Sequence, residues 1–231
     1  MPRKYFDKEL NYLNQRMTVM GDAINKRIEQ SIQALRTGNL ELAEDVALSD
    51  SDIDRMEHEN EKLSMNLIAS QQPIASDLRS ITACLKILTD MEREADQCAD
   101  ICEILATSGM VDFQSLPVTH IVNTMEKVHQ MFHSAMDVFL SHDVEQARKI
   151  CAEDDIVDAS FGKIVLEVCN AITQNPENVM RDVDLLFIIK YVERMGDHAT
   201  NIAEWVIYMV TGHHPDLNEG DNEAESTPQQ V

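Results

Sequence analysis

The chain repeats itself. Asp50-x3-Asp54 returns 104 residues later as Asp154-x3-Asp158, and Glu92-Arg93-x2-Asp96 returns 101 residues later as Glu193-Arg194-x2-Asp197. Pro73 answers to Pro176, and Leu35-x4-Leu40-x2-Ala43 has an echo in Leu140-x3-Val144-x2-Ala147. A loop within each copy absorbs the small change in spacing. A pattern carried twice in order specifies two copies of one supersecondary unit, stacked or packed on each other.

That unit is helical. Phe6, Leu10, Leu13, Met17, Met20, Ile24, Ile28, Ile32 and Leu35 recur at steps of three and four, the signature of one buried helix face. Only 7 Gly and 6 Pro interrupt 231 residues, too few to punctuate many short strands. The spacing predicts helices over about 6–37, 39–69, 73–107, 119–141, 143–173 and 176–211. Gly38 and Gly212 serve as stops, and Asn175-Pro176-Glu177 is a start signal with an N-cap, a first-turn proline and an acid. The expected fold is all-α, two tandem three-helix bundles over residues 1–107 and 118–212, joined by a linker at 108–117. The acidic tail, 213–231, is too polar to pack and is expected to be disordered.

Forty-one acids against 19 Lys and Arg give a net charge of −22. A surface this acidic repels phosphate backbones, so nucleic acid is excluded as a partner, while cations and basic protein patches are favoured. No run of 18 apolar residues spans a membrane, and the first residues lack the apolar core of a signal peptide. The five cysteines, Cys84, Cys98, Cys102, Cys151 and Cys169, form no Cys-x-x-Cys pair and read as buried thiols in a reducing compartment. The expected location is cytoplasmic.

Acids this frequent give roughly seven i,i+4 acidic pairs by chance, so one Glu-x-x-x-Asp carries little weight. Two in register carry more. Glu92, Asp96, Asp100 and Glu103 lie about a turn apart along one side of a helix, and Glu193, Asp197, Asn201 and Glu204 repeat the arrangement. Like charges at that spacing repel unless a cation bridges them. Asp50 and Asp54, or Asp154 and Asp158, can add oxygens from a second helix. Such oxygen-rich sites suit magnesium, manganese or calcium, and carboxylate-rich ones also hold iron or zinc. The bland alternative is a solvated acidic face with Arg93 and Arg194 as counter-charges. Glu126-x-x-His129 with His133 is half of a ferritin-like site without its second half. Cys98 and Cys102 lack the further ligands of a soft-metal site, and His213-His214 belongs to the loose tail. Neither a glycine-rich phosphate loop nor a nucleophile elbow is found.

At these residues the chain resembles the PhoU family of phosphate-specific transport accessory proteins. The resemblance rests on both Glu-Arg-x-x-Asp stretches, above all Val192-Glu193-Arg194-Met195-Gly196-Asp197-His198-Ala199-Thr200-Asn201-Ile202, and on Gln72-Pro73-Ile74-Ala75-Ser76-Asp77-Leu78-Arg79. It implies a pair of PhoU-like bundles with metal ions, divalent or trivalent, on the third helix of each. By motif position the ligands would be Glu92, Asp96 and Asp100, then Glu193, Asp197 and Asn201, with Asp50, Asp54, Asp154 and Asp158 as contributors. It further implies a non-enzymatic negative regulator of phosphate uptake and of the phosphate-starvation response. Its expected partners are the ATPase of the Pst phosphate ABC transporter and a PhoR-type sensor histidine kinase, with the membrane reached only through them. A homodimer is expected. The first motif departs from the pattern: Ala95 stands for Gly196, Glu94 for an apolar residue and Asp100 for Asn201. The extra acids are expected to strengthen cation attraction, and Ala95 to hold the neighbouring helix farther away. A carboxylate metalloenzyme and a plain helical scaffold are the competing readings.

Overall fold

The structure, a computed structural model, describes residues 2–49, 51–71, 73–108 and 113–215. It is built of α1 (Pro2–Thr37), α2 (Leu40–Leu48), α3 (Ser51–Gln71), α4 (Ala75–Ser108), α5 (Leu116–Ser141), α6 (Val144–Gln174), a single 3-10 turn (Pro176–Asn178) and α7 (Val179–Thr211). No strand occurs among the described residues. In the first half α1, α2–α3 and α4 pack together, and in the second half α5, α6 and α7 do the same. Among the described residues, no helix is long and apolar enough to cross a membrane.

Local chemistry sets the ends of these helices. Gly38 ends α1 in the left-handed region (φ 69°), where an added Cβ would lie 2.8 Å from the Phe113 ring. Asn39 then caps α2 by accepting from the Leu42 amide at 3.1 Å, and Asp143 caps α6 by accepting from the Gln146 amide at 3.0 Å. At the far end, Gly212 closes α7 (φ 83°), and the Arg79 Nε donates to the Met209 carbonyl at 3.1 Å. That guanidinium is well placed against the negative end of the helix.

The predicted apolar face of α1 is the observed one: Phe6, Leu13, Met17, Met20, Ile24, Ile28, Ile32 and Leu35 are buried, with Leu10 half-buried beside them. The halves correspond with a shift of 104 residues here, since Leu35, Ile28 and Met17 match buried Phe139, Phe132 and Ile121. Leu140, the sequence-level echo of Leu35, is exposed instead. It lies one residue past the true match, and one residue on a helix is a quarter-turn away from the core.

The expected single helix over 39–69 is two. Ser49 ends α2, with both its amide (3.2 Å) and its hydroxyl (2.9 Å) turned back to the Val46 carbonyl. The Arg27 guanidinium takes the Ser49 carbonyl, which therefore does not continue the ladder. Its counterpart α6 runs unbroken. Two further expectations change. His214 does not begin a loose tail: it is buried and its ring sits 4.4 Å from that of Trp205. The remainder of the predicted tail, 216–231, and linker residues 109–112 lie outside the described residues. Of the five cysteines expected to be buried, only Cys84, Cys98 and Cys102 are; Cys151 is half-buried and Cys169 exposed.

The halves meet through equivalent helices, α1 against α5 and α4 against α7, and the α4–α7 contact is the most extensive in the molecule. Asp90 of α4 anchors that seam, accepting from His198 Nδ1 at 3.0 Å and from the Asn201 amide at 3.1 Å. As acceptor-only, the carboxylate fixes the proton of His198 on Nδ1.

Candidate metal centre

The acidic residues predicted from the repeat converge tightly in the first half, whereas in the second half they act on one another through their charge without three of them lying within 4.8 Å. In the first, Asp54 of α3 meets Glu92 and Asp96 of α4, each offering an oxygen within 4.8 Å of the others. One hard cation with oxygens at ~2.0–2.6 Å on opposite sides bridges such a gap with little movement. Asp54 is exposed and the other two are half-buried, so the cluster is open to solvent on one side. Asp50 lies outside the described residues. Among the described residues, Asp100 is not one of the three that converge.

Sequence reasoning missed Glu57 here. It lies one turn from Asp54, and its carboxyl is pushed up by partial burial and then by Glu61, Asp54 and Asp96. The Asp54-x-x-Glu57 spacing on a helix was the available signal.

In the second half Asp154 and Asp158 of α6 face Glu193 and Asp197 of α7. Their mutual field is visible in the protonation of Asp154, raised to about 6 by partial desolvation, then by Asp197, Asp158, Glu193 and Asp155. Asp197 is raised as well, first by desolvation and then by Glu193, against which Lys190 acts. Lys190 bonds Glu193 and lies 5.5 Å from the centre of the Phe161 ring, so this cluster carries a cation of its own. The first half has Thr89 and Glu57 at those two positions, which makes it the more acidic copy.

The close approach of α6 to α7 depends on Gly196. A Cβ there would lie 3.1 Å from Val157 Cγ1 and 3.3 Å from Asp154 Oδ1. That same Asp154 oxygen is buried with no hydrogen-bond partner. A buried, unsatisfied carboxylate oxygen costs free energy unless a cation or proton meets it. The residues present therefore fit a metal ion. In the first half Ala95 fills the position of Gly196 and is itself fully buried.

One predicted ligand, Asn201, and one acid expected to strengthen cation attraction, Glu94, are directed elsewhere. Asn201 turns its amide to Asp90 across the seam rather than along the acidic stripe. Glu94 is fully buried and lies one turn from Asp90 on the same side of α4. Burial and the nearby Asp90 raise its carboxyl well above the usual range, so it adds nothing to cation attraction at the surface. The seam residues Asp90 and His198 carried no motif, because nothing in a single sequence pairs positions 108 residues apart. The other candidates are occupied otherwise: Glu126 bonds Arg36, and His133 pairs with Asp137 at 3.4 Å. Burial pushes the Cys84 thiol up to about 12 and the Cys102 thiol up to about 11, which keeps both protonated and unreactive.

The Asp154 value gives a signed expectation. Its folded carboxyl sits near 6, above its ordinary 3.8, so the native state holds a proton that the unfolded chain has lost across that window. The repulsion therefore grows as pH rises from about 4 to 6 and is fully present above 6. Asp154→Asn is expected to raise the melting temperature in chelator at pH 8, and to give a much smaller rise at pH 4.5. Equal gains at both pH values, read by thermal denaturation, would separate the effect from this charge cluster.

Comparison with known proteins agrees with this architecture. The PhoU domain profile matches residues 17–105 and again residues 121–206. The chain is 34% identical over 220 residues to the phosphate-specific transport system accessory protein PhoU homolog of Clostridium acetobutylicum, covering 95% of this chain and all of that one. It is 32% identical to the homolog of Rhizobium meliloti, covering 96% of this chain and 94% of the relative. The crystal structure of PhoU from Pseudomonas aeruginosa superposes with a TM-score of 0.84 at 29% identity, over 90% of this chain and 100% of the other. The phosphate transport regulatory protein PhoU of Streptococcus pneumoniae shares the fold, with a TM-score of 0.83 at 24% identity over 90% of this chain and 98% of the other.

Proposed function

The chain belongs to the PhoU family, and on that premise we propose that it regulates phosphate transport as a non-enzymatic, metal-binding adaptor. The observation that carries the metal reading is the cluster of Asp54, Glu92 and Asp96 in the first half, supported in the second by the looser set Asp154, Asp158, Glu193 and Asp197 with the orphaned Asp154 oxygen. An ion bound between α3 and α4, or between α6 and α7, ties a middle helix to the third helix of its bundle. The ion's chemistry is charge neutralisation, and its effect is to fix which helix faces are presented to a partner. The chain's relatives are named accessory proteins of phosphate-specific transport, which supports a role beside the transporter. In the proposed arrangement it works in the cytoplasm as a homodimer, between the ATPase of the Pst transporter and a PhoR-type kinase, damping uptake and the starvation response when phosphate is plentiful.

Deleting the gene is expected to derepress phosphate-starvation genes in phosphate-rich medium. Wild-type protein should restore repression, and a variant with Asp54→Ala, Glu92→Ala, Asp154→Ala and Asp197→Ala should restore it poorly while remaining folded. Unchanged expression on deletion would remove the regulatory reading. Full rescue by the folded variant would remove the metal from it.

A further inference from the structure

The groove between α5 and α6 is unlike the rest of this acidic molecule. His120, Asn123, Thr124, Lys127, Ser160, Lys163 and Ile164 line a pocket of about 130 Å³, and none of these walls is acidic. In a chain with 41 Asp and Glu, a depression bordered by two lysines and a histidine stands out on charge alone. Its volume is the room of about four waters. That suits a small ion and is well below a drug-sized ligand site.

The internal repeat supplies a control for what this groove would otherwise be. The shift of 104 residues that aligns the buried faces places Arg16 at His120, Glu59 at Lys163 and Asn60 at Ile164. In the first half those residues close the groove on themselves: Arg16 Nη2 reaches Glu59 at 2.5 Å and Arg16 Nε donates to Asn60 at 2.7 Å. In the second half the acid has become Lys163, so the internal pair cannot form there. Glu167, one turn on, takes His120 Nδ1 at 2.6 Å and lies 4.0 Å from Lys163. Glu167 is thus shared between His120 and, at longer range, Lys163, while Lys127 and Lys163 stand on facing helices along a wall that itself holds no acid.

We propose that the α5–α6 groove binds a small dianionic oxyanion, a phosphate group, held between Lys127 of α5 and Lys163 of α6 with the Asn123 amide as a neutral donor. The Thr124 and Ser160 hydroxyls donate to the carbonyls of His120 and Ile156, at 2.9 and 2.8 Å, so they shape the floor without supplying protons to the ion. The two ammonium groups outweigh the one nearby carboxylate, Glu167, so the groove favours an anion, and ammonium donors on two helices can reach different oxygens of a tetrahedral ion. The lining comes from α5 and α6, and none of it is a residue of the acidic clusters. It stands on its own geometry, so its failure would leave the metal-cluster reading untouched.

The test is calorimetric titration of the full-length, chelator-treated protein with inorganic phosphate, and separately with a nucleoside monophosphate. Chelation removes metal-bound phosphate from the signal. Saturable binding of inorganic phosphate is expected, weakened at least about tenfold in Lys127→Gln or Lys163→Gln. The double change His120→Arg with Lys163→Glu rebuilds the Arg–Glu pair of the first half, and is expected to fold normally and abolish binding. Tighter binding of the monophosphate would assign the site to an esterified phosphate; equal or weaker binding would assign it to the free ion. Absence of saturable binding of either probe, or undiminished binding in the folded double variant, overturns the proposal.

Discussion

Glu94→Met is expected to stabilise the protein by about 1–3 kcal/mol at neutral pH, the usual cost of burying a polar group without a partner. Glu94 has no exposed surface and both its carboxylate oxygens lack hydrogen-bond partners. The repeat places Met195, equally buried, at the matching position of α7, so the fold accepts methionine there. Met is close to Glu in volume, so neither a cavity nor an overlap offsets the gain. For a chain of this size the melting temperature should rise by several degrees, at about 2–4 °C per kcal/mol. The sign of the pH dependence follows from the raised carboxyl. Native Glu94 keeps its proton where the unfolded chain, at about 4.5, has lost it, so wild-type stability falls as pH climbs above that value. The gain from Glu94→Met should accordingly be larger at pH 8 than at pH 5. A lower melting temperature in thermal denaturation would mean that the carboxyl has a buried counter-charge.

Divalent metal should raise the stability of the wild-type protein and do so far less once the clusters are dismantled. A ligand at one hundred times its dissociation constant contributes about 2.7 kcal/mol per site. Asp54→Ala with Glu92→Ala and Asp96→Ala removes one of two sites and should remove a comparable share of that shift. In chelator the same variant is expected to be slightly more stable than wild type, because like charges one turn apart no longer repel. The two proteins therefore exchange order as manganese or magnesium is added during a thermal melt. A variant that is weaker in chelator and keeps the full metal shift would mean that these carboxylates serve packing and not ion binding.

The repeat and the helical periods were legible because both are properties of residue order. The row from Phe6 to Leu35 lies in the core as its spacing implies, and the acids four apart in α4 and α7 meet acids from α3 and α6. What stayed hidden depends on direction and on neighbours. Glu94 and Glu92 are two residues apart and look alike in the sequence, yet one faces the interior and the other the solvent-side cluster. Asn201 fits the stripe by spacing, but its amide goes to Asp90 because α4 passes on that side. The break at Ser49 has no glycine or proline to announce it, since a serine hydroxyl and a distant arginine make it. Leu140 illustrates the limit of matching leucines by eye: the buried counterpart of Leu35 is aromatic, and a one-residue slip carries the match to the exposed side.

The way the halves meet, α1 on α5 and α4 on α7, has an evolutionary reading. Each half offers the same surfaces to the other, which is the rule for a two-fold symmetric dimer. A chain of half the length could assemble into this shape from identical subunits, but every substitution would then appear on both sides. Fusing the copies releases that constraint. Lys190 can bond an acid of one cluster while the matching Thr89 brings no charge to the other, and Lys163 can open a groove that Glu59 closes across the axis. Tandem duplication gives this fold two addresses that can be tuned separately.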